Sequence, residues 1–97
     1  MNNKFFCFVT EEWGTLNCRK LITLDKDKIT IRFLFQKIIY LKDVSRIIRW
    51  KEKKLIISYT NKGKERQIIL SCIDNEDREQ IIMYLASVQC VIANNDY

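Results

Sequence analysis

Four cysteines, at positions 7, 18, 72 and 90, and no histidine make up the thiol and imidazole inventory of this chain. A zinc half-site brings two ligands together roughly two to four residues apart, and no two of these cysteines are that close. A nucleophilic cysteine needs an activating base, and without histidine that role would fall to lysine. General acid–base work needs a histidine or a shielded carboxylate. The carboxylates here fall in turns and at the start of a helix, where solvation and capping account for them. The residues therefore point away from an enzyme: no catalytic group, no metal site, no cofactor and no small-molecule substrate are expected. Cys7, Cys72 and Cys90 lie within apolar runs, where a reduced thiol packs as a small apolar residue.

The remaining chemistry is ionic. The formal charge is +5, unevenly spread: Lys42–Arg66 holds nine bases against three acids, and Asp74–Tyr97 holds five acids and one base. A basic face built this way favours anionic membranes or nucleic acid, whereas solvated strand faces beside an acidic helix start produce the same count. Trp50 lies between Arg49 and Lys51, with Tyr59 and Phe35 near in pattern, and basic sheets with aromatic residues can stack bases. Phe35 and Tyr59, however, fall on the core faces of their strands, and the side taken by Trp50 is open.

The elements that must position these groups are legible from period-two alternation. Seven apolar runs cover about residues 4–10, 17–24, 28–35, 37–41, 44–51, 54–60 and 65–71, and a helix covers about 74–92. In 28–35, Ile29, Ile31, Phe33 and Phe35 form the core face, opposed by Lys28, Thr30 and Arg32. Cys18, Ile22 and Leu24 face inward in the second run, Leu55, Ile57 and Tyr59 in the sixth, and Ile68 and Leu70 in the seventh. Asp25–Asp27 and Asn61–Lys64 are turns, with Gly63 at a left-handed position of a tight hairpin. Glu11–Thr15, with Gly14 inside it, is the first loop. Asp74 caps the helix, and Ile81, Ile82, Leu85, Val88 and Ile92 form its apolar stripe. Residues 93–97 form a frayed tail. No linker or repeat interrupts the chain, so 1–97 reads as one domain. Apolar stretches such as Phe5–Val9 are far short of the ~20 residues that span a bilayer and of the ~7–15 of a signal-peptide core. The expected location is cytoplasmic, with membrane-peripheral attachment as a variant.

This order of elements resembles a pleckstrin-homology-like (PH-like) domain, and is most similar to the small bacterial members of that superfamily. The resemblance spans nearly the whole chain. It is clearest from Ile22 to Leu70, where strand, turn and strand lead into Ile39–Ile47, then a basic hairpin, a Gly turn and an acid-started helix. It implies a mainly β seven-stranded antiparallel sandwich or barrel capped by one C-terminal helix. Two features differ from many eukaryotic members. Neither Trp13 nor Trp50 lies on the helix, and the first hairpin carries Glu11 and Glu12 rather than a dense Lys/Arg cluster.

The resemblance also implies two binding regions. A groove between the helix and the edge of the second sheet can take a peptide as an added strand, or a second copy of the chain. Its candidate residues are Ser45, Ile47, Arg49, Lys51, Gln80, Met83, Tyr84 and Ser87. The first, third and sixth inter-strand loops share one barrel end in the family fold, which brings Lys37, Lys62 and Lys64 together, near Arg19 and Arg66. Those five are the candidates for an anionic lipid surface. A non-enzymatic module that binds a protein partner or itself is the leading expectation, anionic membrane the alternative, and single-stranded nucleic acid the lesser one.

Overall fold

The structure is a computed structural model and describes residues 3–11, 18–88 and 92–94. Its strands are β1 Lys4–Glu11, β2 Cys18–Leu24, β3 Lys28–Arg32, β4 Gln36–Tyr40, β5 Val44–Trp50, β6 Lys54–Asn61, β7 Lys64–Ser71 and β8 Ile92–Asn94. The helix α1 is Asn75–Ser87. A single turn of 3-10 helix, Leu41–Asp43, carries the chain from β4 to β5. The strands form one sheet in the order β4-β3-β2-β1-β7-β6-β5-β8, with β1 to β7 pairing antiparallel and β8 running parallel to β5. The mainly β architecture of seven antiparallel strands followed by a C-terminal helix is the one expected.

The sheet folds over on itself because both halves carry one apolar face. Phe5, Ile22, Ile29 and Ile39 come from β1 to β4, and Ile47, Leu55, Ile57, Ile68 and Leu70 from β5 to β7. All are buried in one cluster, which Ile81, Ile82 and Leu85 of α1 complete. Each such side chain contributes about 1.5–3 kcal/mol relative to exposure, so this shared core outweighs any single surface contact. The pairing of β1 with β7 (Phe8 opposite Ser71, Val9 opposite Leu70) joins the two halves. On the other side β4 approaches the end of β6 without a hydrogen-bonded ladder. A notch of about 320 Å³ between them is lined by Lys37, Ile38, Tyr40, Tyr59, Thr60 and Asn61, among others.

Local signals act as their chemistry dictates. Lys62 and Gly63 both have positive φ, 54° and 78°, in the two-residue turn between Asn61 and Lys64. Gly63 takes that conformation without a side-chain penalty. Asp74 Oδ1 accepts from the Asp77 backbone N–H at 2.8 Å, satisfying a donor left free at the helix start. The β5–β6 turn is tied to that helix start twice. The Lys53 N–H donates to Asn75 Oδ1 at 2.7 Å, and the Arg78 guanidinium donates to the Lys51 carbonyl. Ser58, a fully buried polar residue of β6, is satisfied by Gln67 Nε2 donating to its hydroxyl at 3.3 Å.

Two readings of the sequence are corrected. The third strand stops at Arg32, and Phe33, Leu34 and Phe35 form an exposed three-residue tip between β3 and β4. Phe33 and Phe35 continue the inward period on paper, but Arg32 pairs with Gln36, so the chain has already reversed there. The helix ends at Ser87 rather than near 92, with Val88 as its half-buried cap residue and Ile92–Asn94 extended as β8. Val88 and Ile92 are β-branched and disfavour continuing the helix, and the edge of β5 offers a ladder in its place. Of the supposed tail, residues 93 and 94 therefore belong to a strand, and 95–97 lie outside the described residues.

Candidate functional site

Lys37 follows the β3–β4 tip by two residues, and Tyr59 shortly precedes the β6–β7 turn. The two meet across the notch, with Lys37 Nζ of β4 5.4 Å from the ring centroid of Tyr59 on β6. Arg66 stands opposite Tyr59 in the β6–β7 ladder and is half-buried. Lys62 and Lys64 flank Gly63, and both are exposed. Arg19 is exposed on β2, its guanidinium 5.4 Å from the ring of Phe8 on β1. Of the five cations expected together, Lys37 is held over the Tyr59 ring, Arg66 stands opposite Tyr59 in the ladder, and Lys62 and Lys64 belong to one turn. Arg19 sits apart on the outer face. Glu65 is exposed beside the same turn. Glu12, Trp13 and Gly14 of the first loop lie outside the described residues.

The tip itself was not anticipated as a site. Phe33, Leu34 and Phe35 are 55%, 79% and 87% exposed, the densest run of exposed large apolar side chains among the described residues. Single exposed apolar residues are ordinary, whereas three in a row on a hairpin tip withhold apolar surface from the core for no stabilising return. Arg32 and Gln36 close the tip, with Arg32 Nη2 donating to Gln36 Oε1 at 2.7 Å. The available signal in the sequence was negative: the reversal contains no Gly, Asn, Asp or Pro to mark it.

The groove residues are placed differently from the expectation. Ile47 is fully buried, and its backbone pairs with Ile57 of β6 on one side and Ile92 of β8 on the other. The β5 edge over Ile47–Arg49 is therefore already occupied by the chain's own β8. Ser45 is exposed and its hydroxyl donates to the Ser58 carbonyl at 3.2 Å, next to an irregularity in the β5–β6 register. Arg49 makes a two-pronged contact with Glu79 of α1, at 2.9 and 2.7 Å. Those bonds from Arg49 hold the Glu79 carboxyl below its ordinary range, against the opposing effect of burial, and Arg78 adds to them. Lys51 is exposed in the β5–β6 turn, with Nζ 4.4 Å from the Trp50 ring. On α1, Gln80 is half-buried, Met83 is 62% exposed, Tyr84 packs partly against the core and Ser87 is exposed, its hydroxyl donating to the Tyr84 carbonyl. The groove wall thus presents Met83 but no open strand edge along Ile47–Arg49.

Trp50 takes the outer side of β5, half-buried, with Lys51 and Lys54 both over its ring. Tyr59 is buried as read. Cys7 and Cys72 are buried, and the Cys7 thiol donates to Cys72 Sγ at 3.6 Å. That hydrogen bond, reinforced by burial, pushes the Cys7 thiol far above its ordinary range, so it stays protonated. Cys90 lies outside the described residues. Among the described residues no helix is long and apolar enough to cross a membrane.

No protein-family model matches the chain, and no curated protein matches it in sequence.

Proposed function

We propose that this chain is a non-enzymatic module of PH-like fold that attaches peripherally to anionic membrane surfaces. The observation that carries the reading is the exposed Phe33-Leu34-Phe35 tip, with Lys37 two residues after it; the resemblance would add Lys62, Lys64 and Arg66 at the same end. Apolar side chains enter the headgroup–acyl boundary while cations stay at the phosphates, and each Lys or Arg near such a surface adds about 1 kcal/mol. The resemblance in element order supports the PH-like assignment, and the strand order β4-β3-β2-β1-β7-β6-β5 keeps the two meanders that it implies.

Peptide binding by strand addition to β5 has less support, because β8 holds that edge along Ile47–Arg49. Met83 keeps a protein partner on the helix side as the second reading, with self-association included.

Flotation with anionic and neutral vesicles, at low and near-physiological salt, tests the proposal. Co-flotation with anionic vesicles, reduced by salt and by Lys37/Lys62/Lys64→Glu, is the expected result. No flotation under any condition would remove the membrane reading and return a pull-down for protein partners to first place.

A further inference from the structure

The outer face of the half-sheet β1 to β4 has an unusual composition. Inward positions are fixed by the buried Phe5, Cys7, Val9, Ile22, Leu24, Ile29, Ile31 and Ile39, so the alternate positions face out. The outward positions carry four bases, Lys4, Arg19, Lys28 and Arg32, and no carboxylate among the described residues. The sequence as a whole has 12 acids against 17 bases, so a strand face of this extent without an acid is a local bias. The same face shows Phe6 and Phe8 at 53% and 40% exposure, with Leu21 directly opposite Phe6. The cross-strand row Phe6–Leu21–Arg32–Gln36 runs straight into the Phe33–Phe35 tip. Apolar surface is thus continuous from the tip onto the face, and the bases surround it.

A shallow depression of about 290 Å³ lies on this face between Lys4, Lys28 and Arg32, floored by Thr23 and Thr30. Asp25, in the β2–β3 turn, is the one carboxylate at its rim.

We infer that the membrane-facing surface is not the loop end alone: the domain lies on its side, with the β1–β4 outer face against the anionic bilayer and the tip inserted at its margin. This inference rests on the membrane reading above and specifies its geometry. Charge complementarity and continuity with the tip select the occupant. A bilayer takes bases and apolar side chains on one broad surface, and it is the ligand whose two chemistries match those of the tip and the face together. End-on docking leaves Lys28 at the far end of β3, a five-residue strand of roughly 13–17 Å at about 3.3 Å per residue. That is more than the ~8 Å Debye length at physiological salt, so only side-on docking lets Lys28 contribute there.

The test compares vesicle partition of the wild-type chain with three variants: Leu34→Ser/Phe35→Ser, Phe6→Ser/Phe8→Ser and Lys4→Glu/Lys28→Glu. Thermal melts check that each folds. The face variants are both expected to lower partition into anionic vesicles about tenfold at near-physiological salt. As an independent readout, Phe6→Trp in a Trp13→Phe/Trp50→Phe background should be quenched by lipids brominated high on the acyl chain. If the tip variant abolishes binding while both face variants bind as wild type and Phe6→Trp is unquenched, the side-on geometry is overturned and the membrane reading stands. Absence of wild-type binding overturns both. If single-stranded RNA binds and Phe6→Ser/Phe8→Ser abolishes that binding while vesicles do not bind, the face is a base-stacking platform and the inference is wrong.

Discussion

Replacing Leu34 and Phe35 by serine isolates the apolar contribution of the tip from its charge. The two side chains are 79% and 87% exposed, so they add almost nothing to the core and nearly all of their surface is available to a lipid phase. Complete burial of a Leu or Phe side chain contributes about 1.5–3 kcal/mol, so the exposed fraction of this pair represents roughly 2.5–5 kcal/mol. Recovery of half of that at the headgroup–acyl boundary gives about 1.3–2.5 kcal/mol, a partition loss of roughly eightfold to seventyfold. Stability should move by no more than about 0.5 kcal/mol, as for other surface changes. Vesicle sedimentation across lipid concentration measures the first quantity and chemical denaturation the second. The salt dependence should survive in the variant, since every cation remains. Unchanged partition would refute the insertion argument. A large loss of stability would refute it in another way, by showing that the tip packs against the protein.

Leu85 is fully buried between α1 and the sheet, and Leu85→Ala is expected to cost about 2–5 kcal/mol by urea denaturation; a loss below about 1 kcal/mol would mean the helix is not an integral part of the core. The Glu79 carboxyl is held below its ordinary range chiefly by the hydrogen bonds from Arg49, so its contribution is present above the unfolded carboxylate pKa and is lost as pH falls through the lowered folded value. Glu79 is 42% exposed, which keeps the effect small, and Glu79→Gln should flatten the acid side of the stability–pH curve without altering its neutral shape. An unchanged acid limb would sink that assignment. Cys7 and Cys72 are both buried, and the Cys7 thiol is held above its ordinary range, so both should resist a neutral-pH alkylating agent until denaturant is added, as peptide mass spectrometry would show; rapid native-state labelling of either would contradict the packing.

The strands were legible in the sequence because alternation reports which face is buried, and Ile29, Ile31, Leu55 and Ile57 obey it with few exceptions. The acid-capped helix start was legible for the same local reason: Asp74 and Asp77 act within one turn. What was not legible depended on partners distant in sequence or on missing turn chemistry. Phe33 and Phe35 kept the strand period while the chain reversed beneath them, and only the pairing of Arg32 with Gln36 reveals it. Ile92 sat at helical spacing from Val88, and its extended conformation follows from an edge offered by β5, far upstream. Trp50 had no readable side because Ile48, its neighbour on the outer face, is itself buried. The candidate cations were found by residue type, but the face carrying Lys4 and Lys28 was missed, since the absence of acid is a property of a surface rather than of a segment.

The connectivity has a kinetic consequence. The hairpins β2–β3, β3–β4, β5–β6 and β6–β7 pair near neighbours, whereas β1–β7 and β5–β8 join distant residues such as Phe8 with Ser71 and Ile47 with Ile92. Chain-closure entropy must be met before those distant pairings return anything, which places them late in assembly. Two meanders then form first, each ending in an open strand, β1 on one and β7 on the other. At high concentration β1 of one molecule competes for β7 of another, and exchange of whole meanders between copies becomes the characteristic misassembly. Refolding at rising protein concentration, followed by size-exclusion chromatography, should yield a growing fraction of swapped dimers, and a yield of monomer independent of concentration would place the seam earlier in folding.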